Sequence, residues 1–366
     1  MATRISALDA TVRALGAEMG EWNDMAVAFG FPNDPHLEHD AIRETVGMWD
    51  TSALTKIQVR GPDALAAIDY LVTRDMTRIK VGQSAYCPIL KDDGHFCDDA
   101  IIFHVAEDHF LVASAIGPTL GLLQDYAGKR NLSVELDEEL HIITVQGPKS
   151  IDLLAAQTSA NLRNLPFCHQ LATALCGRDM MVSRTGYSGE RGYELFMRAD
   201  EVVEVWQELM QLGQAFGLRP ISFGGLEMVH IESGLMAYGA EATEQNTPWE
   251  VDMGWAVSRN KGDFRGKQAL FELEGKEKVK FFGIVAEHDD VVEHGAELSI
   301  NGQLVGHVTT PAYSRRLGKS LALVHLLPSA AVEGTSLELR GPTIDCSATA
   351  TRIPFIDPAR KRLHAM

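Results

Sequence analysis

Twice in this chain a β-branched apolar run ends in Gly-Pro and opens straight into a helix-patterned segment. Ile57-Gln-Val-Arg60 leads into Gly61-Pro-Asp-Ala-Leu-Ala-Ala-Ile-Asp-Tyr-Leu71. Ile142-Ile-Thr-Val-Gln146 leads into Gly147-Pro-Lys-Ser-Ile-Asp-Leu-Leu-Ala-Ala156, 86 residues further on. Proline fixes φ and has no N–H, so it fits neither a central strand nor a helix interior, but it suits a first helical position. The syntax predicts strand, tight turn, helix, used twice. Two copies predict two related α+β halves and are too few for a solenoid.

The remaining segments fill in around these units. Helical spacing predicts helices over 5–20, 38–47, 200–216 and 224–236, the last despite three glycines. Strands are predicted over 86–90, 100–105 and 109–114. After about residue 275 the texture changes to short runs over 279–285, 297–300, 304–309, 320–324 and 336–339, separated by Gly, Pro and Asn301-Gly302. Asn-Gly between alternating runs is a type I′ hairpin signal. The last 90 or so residues therefore read as a separate antiparallel β module, a small barrel.

Size and charge narrow the function. At 366 residues the chain is long enough for two or three domains. Its formal charge of −17 argues against nucleic acid and an anionic membrane surface as partners, and an anionic substrate would need a local cluster of cations. No apolar stretch is long enough to span a bilayer. The N-terminus lacks an apolar signal-peptide core. Five scattered cysteines without a Cys-x-x-Cys pair fit a reducing cytoplasm and read as buried, inert thiols. Glu287-His-Asp-Asp290 reads as a solvated hairpin rather than a metal site, and no metal is expected.

The segment Arg184-Thr-Gly-Tyr-Ser-Gly-Glu-Arg-Gly-Tyr-Glu194 carries the strongest functional signal. Gly186, Gly189 and Gly192 sit three apart with tyrosines and carboxylates threaded between them. A turn needs one or two glycines for positive φ. Three predict a backbone that lets something flat approach closely. A phenol and a carboxylate are suited to a planar ring bearing N–H donors. The spacing fits neither a Walker loop nor the dinucleotide fingerprint.

Taken in order, the motifs resemble the folate-dependent aminomethyltransferase family, the glycine cleavage T-protein and its relatives. The resemblance runs through Glu38-His-Asp-Ala-Ile-Arg43, Gly47-Met-Trp-Asp-Thr-Ser52, Gly82-Gln-Ser-Ala-Tyr86, Asp93-Gly-His-Phe-Cys-Asp-Asp-Ala-Ile-Ile102 and segment 184–194. It continues through Glu232-Ser-Gly-Leu-Met-Ala-Tyr-Gly239, Thr247-Pro-Trp-Glu250, Phe264-Arg-Gly-Lys267 and Gly306-His-Val-Thr-Thr310. It implies an α+β cloverleaf of three domains around a central channel for tetrahydrofolate. Residues 1–50 with 140–270 would form the folate-binding α+β domain, 51–139 the second α+β domain, and 275–366 the C-terminal barrel.

By the same resemblance, Asp99 is the catalytic carboxylate, near the reactive edge of the folate. Adjacent aspartates at a strand start alternate sides, so one of Asp98 and Asp99 faces a given site. Tyr86, Tyr187, Glu194, Ser114 and His230 are the expected cofactor-binding residues, with Glu194 on the pterin's guanidine-like face.

The chain also departs from the T-protein pattern. Leu226 and His230 replace two arginines, Trp49 replaces a usual Phe, Ala53 a usual His, and Trp249 sits inside the Thr-Pro-x-Glu motif. Arg is not interchangeable with Leu at a polar site, and His is only partly charged at neutral pH. These changes point to a tetrahydrofolate-dependent one-carbon transferase that demethylates a small methylated donor: a sulfonium, a methoxy-aromatic or a methylamine. A T-protein taking its aminomethyl group from a lipoyl carrier protein, and a non-catalytic folate-binding protein, are the alternatives. Arg360-Lys-Arg362 reads as a solvated end.

Overall fold

A computed structural model gives the fold, and it describes residue 2 and residues 4–365. Three β structures organise the chain. The first is a six-stranded sheet in the order Gln170–Leu175, Arg178–Ser183, Gly192–Arg198, Leu140–Gln146, Val46–Asp50, Leu218–Pro220. Its neighbours are antiparallel except the last pair. The second is a five-stranded antiparallel sheet in the order Ser84–Leu90, Phe96–Ala106, His109–Ser114, Thr55–Arg60, Ser133–Leu136. The third is a closed barrel of Lys280–Ala286, Lys319–Leu326, Gln303–Ser314, Glu297–Ile300, Ser336–Arg340 and Asp345–Thr351. No described helix is long and apolar enough to cross a membrane.

The Gly-Pro syntax does build two equivalent units. Gly61 and Gly147 have φ of +125° and +124°, and a side chain on either would meet a backbone oxygen at 2.5 Å, from Asn131 and Thr45 respectively. Only glycine tolerates both constraints. The helices start later than expected, at Ala64–Leu71 and Ser150–Ala155. Each proline lies one residue outside the cap, in the turn, because the glycine geometry uses up that residue before helical φ and ψ begin. The predicted helix over 5–20 shrinks to Asp9–Ala14, followed by a hairpin of Glu18–Trp22 and Met25–Gly30. Asn301 and Gly302 both have positive φ, as the hairpin signal requires.

Alternation along the strands gives each sheet two apolar faces. The outer face of the first sheet (Met48, Val145, Tyr193, Leu195, Met197) packs on Val202, Val205, Trp206 and Leu209 of the helix Ala199–Gly213. The outer face of the second (Ile57, Val59, Ala100, Ile102, Val112) packs on its own helices. The inner faces meet each other through Ile142 and Phe196 on one side and Phe103, Leu111 and Ala113 on the other. Phe103 and Phe196 stand edge to face, 5.0 Å apart at 70°. Removing either ring would cost about 3–5 kcal/mol. This seam positions the site.

Candidate active site

Asp99 and Tyr86 share the inner face of the second sheet. The register pairs Tyr86 with Ile101 and Pro88 with Asp99, so Tyr86 and Asp99 are diagonal neighbours on one side. The Tyr86 hydroxyl donates to Asp99 Oδ2. Asp98 turns the other way. It accepts from the Thr119 hydroxyl and from the Asp99 N–H at 2.9 Å, and the N–H groups of Ala115 and Gly117 also reach it. Asp98 thus holds the loop after His109–Ser114, and Asp99 is the aspartate left for a site.

Asp99 is buried, and burial pushes its carboxyl up to about 7; the Tyr86 hydrogen bond works against this and the Asp98 charge adds to it. Burial, then the Asp99 charge, raises the Tyr86 phenol well above its ordinary range, so it stays a neutral donor.

Glu194 lies on the inner face of the first sheet. It pairs with Thr144 and Ser183, one alternation along from Phe196, which pairs with Ile142 and Met181. Asp99 lies two alternations from Phe103 on the facing sheet, so the Phe103–Phe196 contact puts both carboxylates on one seam. Glu194 is buried, its carboxyl is raised by that burial, and Thr185 is its side-chain hydrogen-bond partner among the described residues.

Tyr187 packs against the helix Phe223–Glu232 and the residues just after it. Its hydroxyl donates to the Met236 carbonyl at 3.2 Å, and its ring stacks on His230 at 5.6 Å and 25°. Burial, Glu241 and Asp99 together raise its phenol.

The glycines of segment 184–194 have a different reason from the one their spacing suggested. A Cβ on Gly186 or Gly192 would lie 2.0 or 2.1 Å from the side chain of Gln146. The flat group that approaches this backbone is the protein's own amide. Gln146 Nε2 donates to the Thr185 carbonyl at 3.0 Å, and the Ser188 hydroxyl donates to Gln146 Oε1 at 2.7 Å. Gly189, at φ +71°, faces Ser233. Sequence reasoning missed Gln146, although its place just before Gly147 marked it as the end of a strand.

Buried charge braces the same turn. Arg43 donates to the Ser188 carbonyl at 2.9 Å and the Val229 carbonyl at 3.0 Å, and pairs with Glu190 and Glu232 at 2.9 Å each. His39 Nε2 is 2.8 Å from the Glu232 carboxylate. Arg362 is therefore not part of a solvated end. Its Nε lies 2.7 Å from Glu190, because a buried carboxylate beside the glycine turn recruits it, while Arg360 and Lys361 remain exposed.

Two other expectations change. Ser114 pairs directly with Ala100, so its side chain is on the opposite face of the sheet from Asp99 and Tyr86, away from the seam. Alternation, which sequence could not register against Asp99 without the strand pairing, decides this. His230 is buried, and burial lowers its imidazole to about 4, so it is neutral rather than partly charged. Leu226 packs in one apolar cluster with Trp49 and Ile42. Two departures from the T-protein pattern thus compensate each other. Ala53 is buried beside Met25, Trp22 and Phe223. The thiols of Cys87, Cys97 and Cys176 are buried and pushed up to about 12, which makes them poor nucleophiles.

With this geometry in view, comparison with known proteins is decisive. The GCVT N-terminal domain family matches residues 8–261, and the glycine cleavage T-protein C-terminal barrel domain matches residues 280–357. The chain belongs to the glycine cleavage T-protein family. It is 35% identical to the heme-dependent oxidative N-demethylase gamma subunit of Ectopseudomonas mendocina, over 98% of this chain and 97% of that one. It is 32% identical to the aminomethyltransferase of Halothermothrix orenii, covering 94% and 97%. The glycine cleavage system aminomethyltransferase T from Bartonella henselae shares the fold, with a TM-score of 0.90, 24% identity and coverage of 97% and 98%.

The chain is thus a transferase of the aminomethyltransferase type, and tetrahydrofolate is the cosubstrate of its family. The residues present fit that molecule. Glu194 is a buried carboxylate whose one side-chain partner among the described residues is a neutral hydroxyl, so it has acceptor capacity left for adjacent N–H donors.

Proposed function

We propose that this protein transfers a one-carbon unit to tetrahydrofolate from a small methylated donor (a sulfonium, a methoxy-aromatic or a methylamine), the methyl group leaving its sulfide, phenol or amine as it bonds to the folate nitrogen, giving methyl-tetrahydrofolate. One observation carries the reading. A buried carboxylate at Asp99 faces the same seam as a buried carboxylate at Glu194, and among the described residues each has a single neutral hydroxyl, from Tyr86 and Thr185 respectively, as its side-chain hydrogen-bond partner. Two such groups destabilise the empty protein and are retained where a ligand supplies what they lack.

Tetrahydrofolate, when bound, supplies the nucleophilic nitrogen that accepts the carbon. Glu194 would hold the pterin's N–H face, with Tyr187 and Tyr86 lining it. Asp99 would orient the donor and take up the proton released as the new bond forms. With its carboxyl near 7, it is poised to hold or release a proton at neutral pH. Burial of Asp99 and Glu194 limits the access of competing water.

The aminomethyltransferase relatives support a second reading, in which a lipoyl carrier protein is the donor's source. The small-donor reading is favoured by Leu226, packed against Trp49, and by Ala53: both stand in apolar clusters at positions where the T-protein pattern has Arg and His. A mass-resolved folate assay tests both. The protein is incubated with tetrahydrofolate and dimethylsulfoniopropionate, vanillate, methylamines or aminomethyl-loaded lipoyl carrier. Folate product from a small donor supports the proposal. Product from the carrier alone overturns it in favour of the T-protein reading. Folate binding without product from any donor would favour a non-catalytic folate-binding protein.

A further inference from the structure

Resting on the reading in which Asp99 carries the transfer, we propose that Asp98 is a positioning residue for the reaction: its carboxylate stands in for a missing strand and fixes the backbone of Asp99. The argument starts from where Asp99 lies in its strand. Going back along Phe96–Ala106, the pairing with His109–Ser114 ends at Ala100, opposite Ser114. The next pair in that register is Asp99 with Ala115. A hydrogen-bonded antiparallel pair exchanges two N–H···O bonds. Here half of the pair forms. The Ala115 N–H donates to the Asp99 carbonyl at 3.2 Å. The chain then bends away over 116–118 into the helix Thr119–Ala127, and the Asp99 N–H donates to Asp98 Oδ1 at 2.9 Å instead.

The neighbouring strand on the other side gives Asp99 no donor. Pro88 stands opposite it and has no N–H. One step further the register slips. Ile89 faces Asp98 and Leu90 faces Phe96, which leaves Cys97 as an extra, bulged residue. A bulge interrupts the ladder and re-aims the side chains beside it. Asp99 therefore sits where its strand loses regular support on both sides.

Asp98 supplies that support. It is fully buried, and its partners among the described residues are all neutral donors: the Asp99 N–H, the Thr119 hydroxyl and the N–H groups of Ala115 and Gly117. One carboxylate thus holds the Asp99 amide, the turn that follows Ser114 and the first residue of the next helix. The turn is seated on the bulge itself. A Cβ on Gly117 would lie 2.2 Å from the Cys97 carbonyl oxygen and 2.5 Å from Asp98 Cβ, so no larger residue fits there without movement.

The dependence on Asp98 is local. Ala100 and the residues after it have strand partners on both sides. Asp99 relies on Ala115 and Asp98, and a shift of its backbone would swing its carboxylate against Tyr86 and the seam. Misplacement of a reacting group by about 1 Å can cost roughly 100-fold in rate. Glu194 belongs to the other sheet, and Asp98 has no hydrogen bond to that sheet among the described residues. Loss of Asp98 should therefore lower turnover and spare folate affinity. A residue that merely secured the turn would cost stability and leave the turnover of the folded protein unchanged.

The test has two readouts on the full chain. The first is amide exchange, followed by NMR on isotope-labelled protein, with the Asp99 signal identified by its loss in Asp99→Asn. The Asp99 N–H should exchange at least about tenfold faster in Asp98→Ala than in wild type, while amides of the first sheet keep their rates. The second is transfer kinetics with tetrahydrofolate and whichever of dimethylsulfoniopropionate, vanillate, methylamines or aminomethyl-loaded lipoyl carrier gives folate product. Asp98→Asn keeps one acceptor oxygen and loses the other. Its kcat should fall about 10- to 100-fold with tetrahydrofolate affinity within about twofold. That variant also removes a charge that, added to burial, holds the Asp99 carboxyl near 7. Thr119→Val leaves the charge in place and takes away one donor, so it separates position from electrostatics. Its kcat should fall about 3- to 10-fold, and Thr119→Ser should restore it to within about twofold. If Asp98→Ala does not fold, Asp98→Asn and Thr119→Val carry both readouts.

Unchanged exchange at Asp99, unchanged kcat in Asp98→Asn, or an equal loss of kcat and folate affinity would overturn the proposal while leaving one-carbon transfer standing. Full activity in Asp99→Asn, or no folate product from any donor with wild type, would remove the reading beneath it and the proposal together.

Discussion

Asp99→Asn should make the protein more stable while it abolishes transfer. The substitution keeps the size of the side chain and an oxygen to accept the Tyr86 hydroxyl, and removes only the ability to ionise. Burial raises the wild-type carboxyl from 3.8 to about 7. For an acid whose folded value is raised, the unfolded chain ionises first. Stability is therefore intact below the unfolded value, falls as pH rises through the interval between the two values, and is lowest above the folded one. Each pH unit in that interval costs about 1.4 kcal/mol. The variant escapes this cost. Its advantage over wild type should be about 2 kcal/mol at pH 5 and about 4 kcal/mol above pH 7.5. Urea unfolding of both proteins at pH 5 and pH 8 measures the difference. A variant less stable than wild type at pH 8, or an advantage that does not change between the two pH values, would refute the claim that Asp99 is an uncompensated buried acid.

Glu194→Gln should weaken tetrahydrofolate binding about 10- to 100-fold, by loss of a charge-assisted contact; unchanged affinity in equilibrium titration would remove Glu194 from the pterin contact. Ser114→Ala should leave folate affinity within about twofold, since Ser114 faces away from the seam; a larger loss would return it to the site. Gly192→Ala should destabilise by about 1–3 kcal/mol through overlap with Gln146, and adding Gln146→Ala should recover part of that loss. No recovery in the double variant, measured by urea unfolding, would mean that the glycine serves something other than Gln146. Arg43→Met should cost about 3–5 kcal/mol by removing the buried cation that Glu190 and Glu232 share, leaving Glu190 to Arg362 alone and Glu232 to His39, with a matching drop in the unfolding midpoint.

Much of this architecture was legible in the chain. The strand pattern with Gly-Pro punctuation foretold the strands Thr55–Arg60 and Leu140–Gln146, because period-two apolar patterning and proline sterics are local. The barrel was foretold by short runs between turns, although its closing strand, Asp345–Thr351, was missed because half of its residues face solvent and carry little apolar signal. The strands Gln170–Leu175 and Arg178–Ser183 were missed for a related reason: their burial is uneven, and pairing with neighbours rather than propensity makes them strands.

The order of motifs pointed to the family, and residue type pointed to the chemistry of Asp99 and Glu194. Those properties depend on side-chain identity and short-range sterics, which sequence carries directly. Which of two adjacent aspartates faces inward, that Ser114 faces outward, and that Gly186 and Gly192 make room for Gln146 rather than for a ligand all depend on register between distant strands. The neutrality of His230 and the lack of a countercharge at Asp99 depend on what tertiary packing leaves beside them. A pKa and an unpaired charge are properties of the surroundings, and only the folded chain brings those surroundings together.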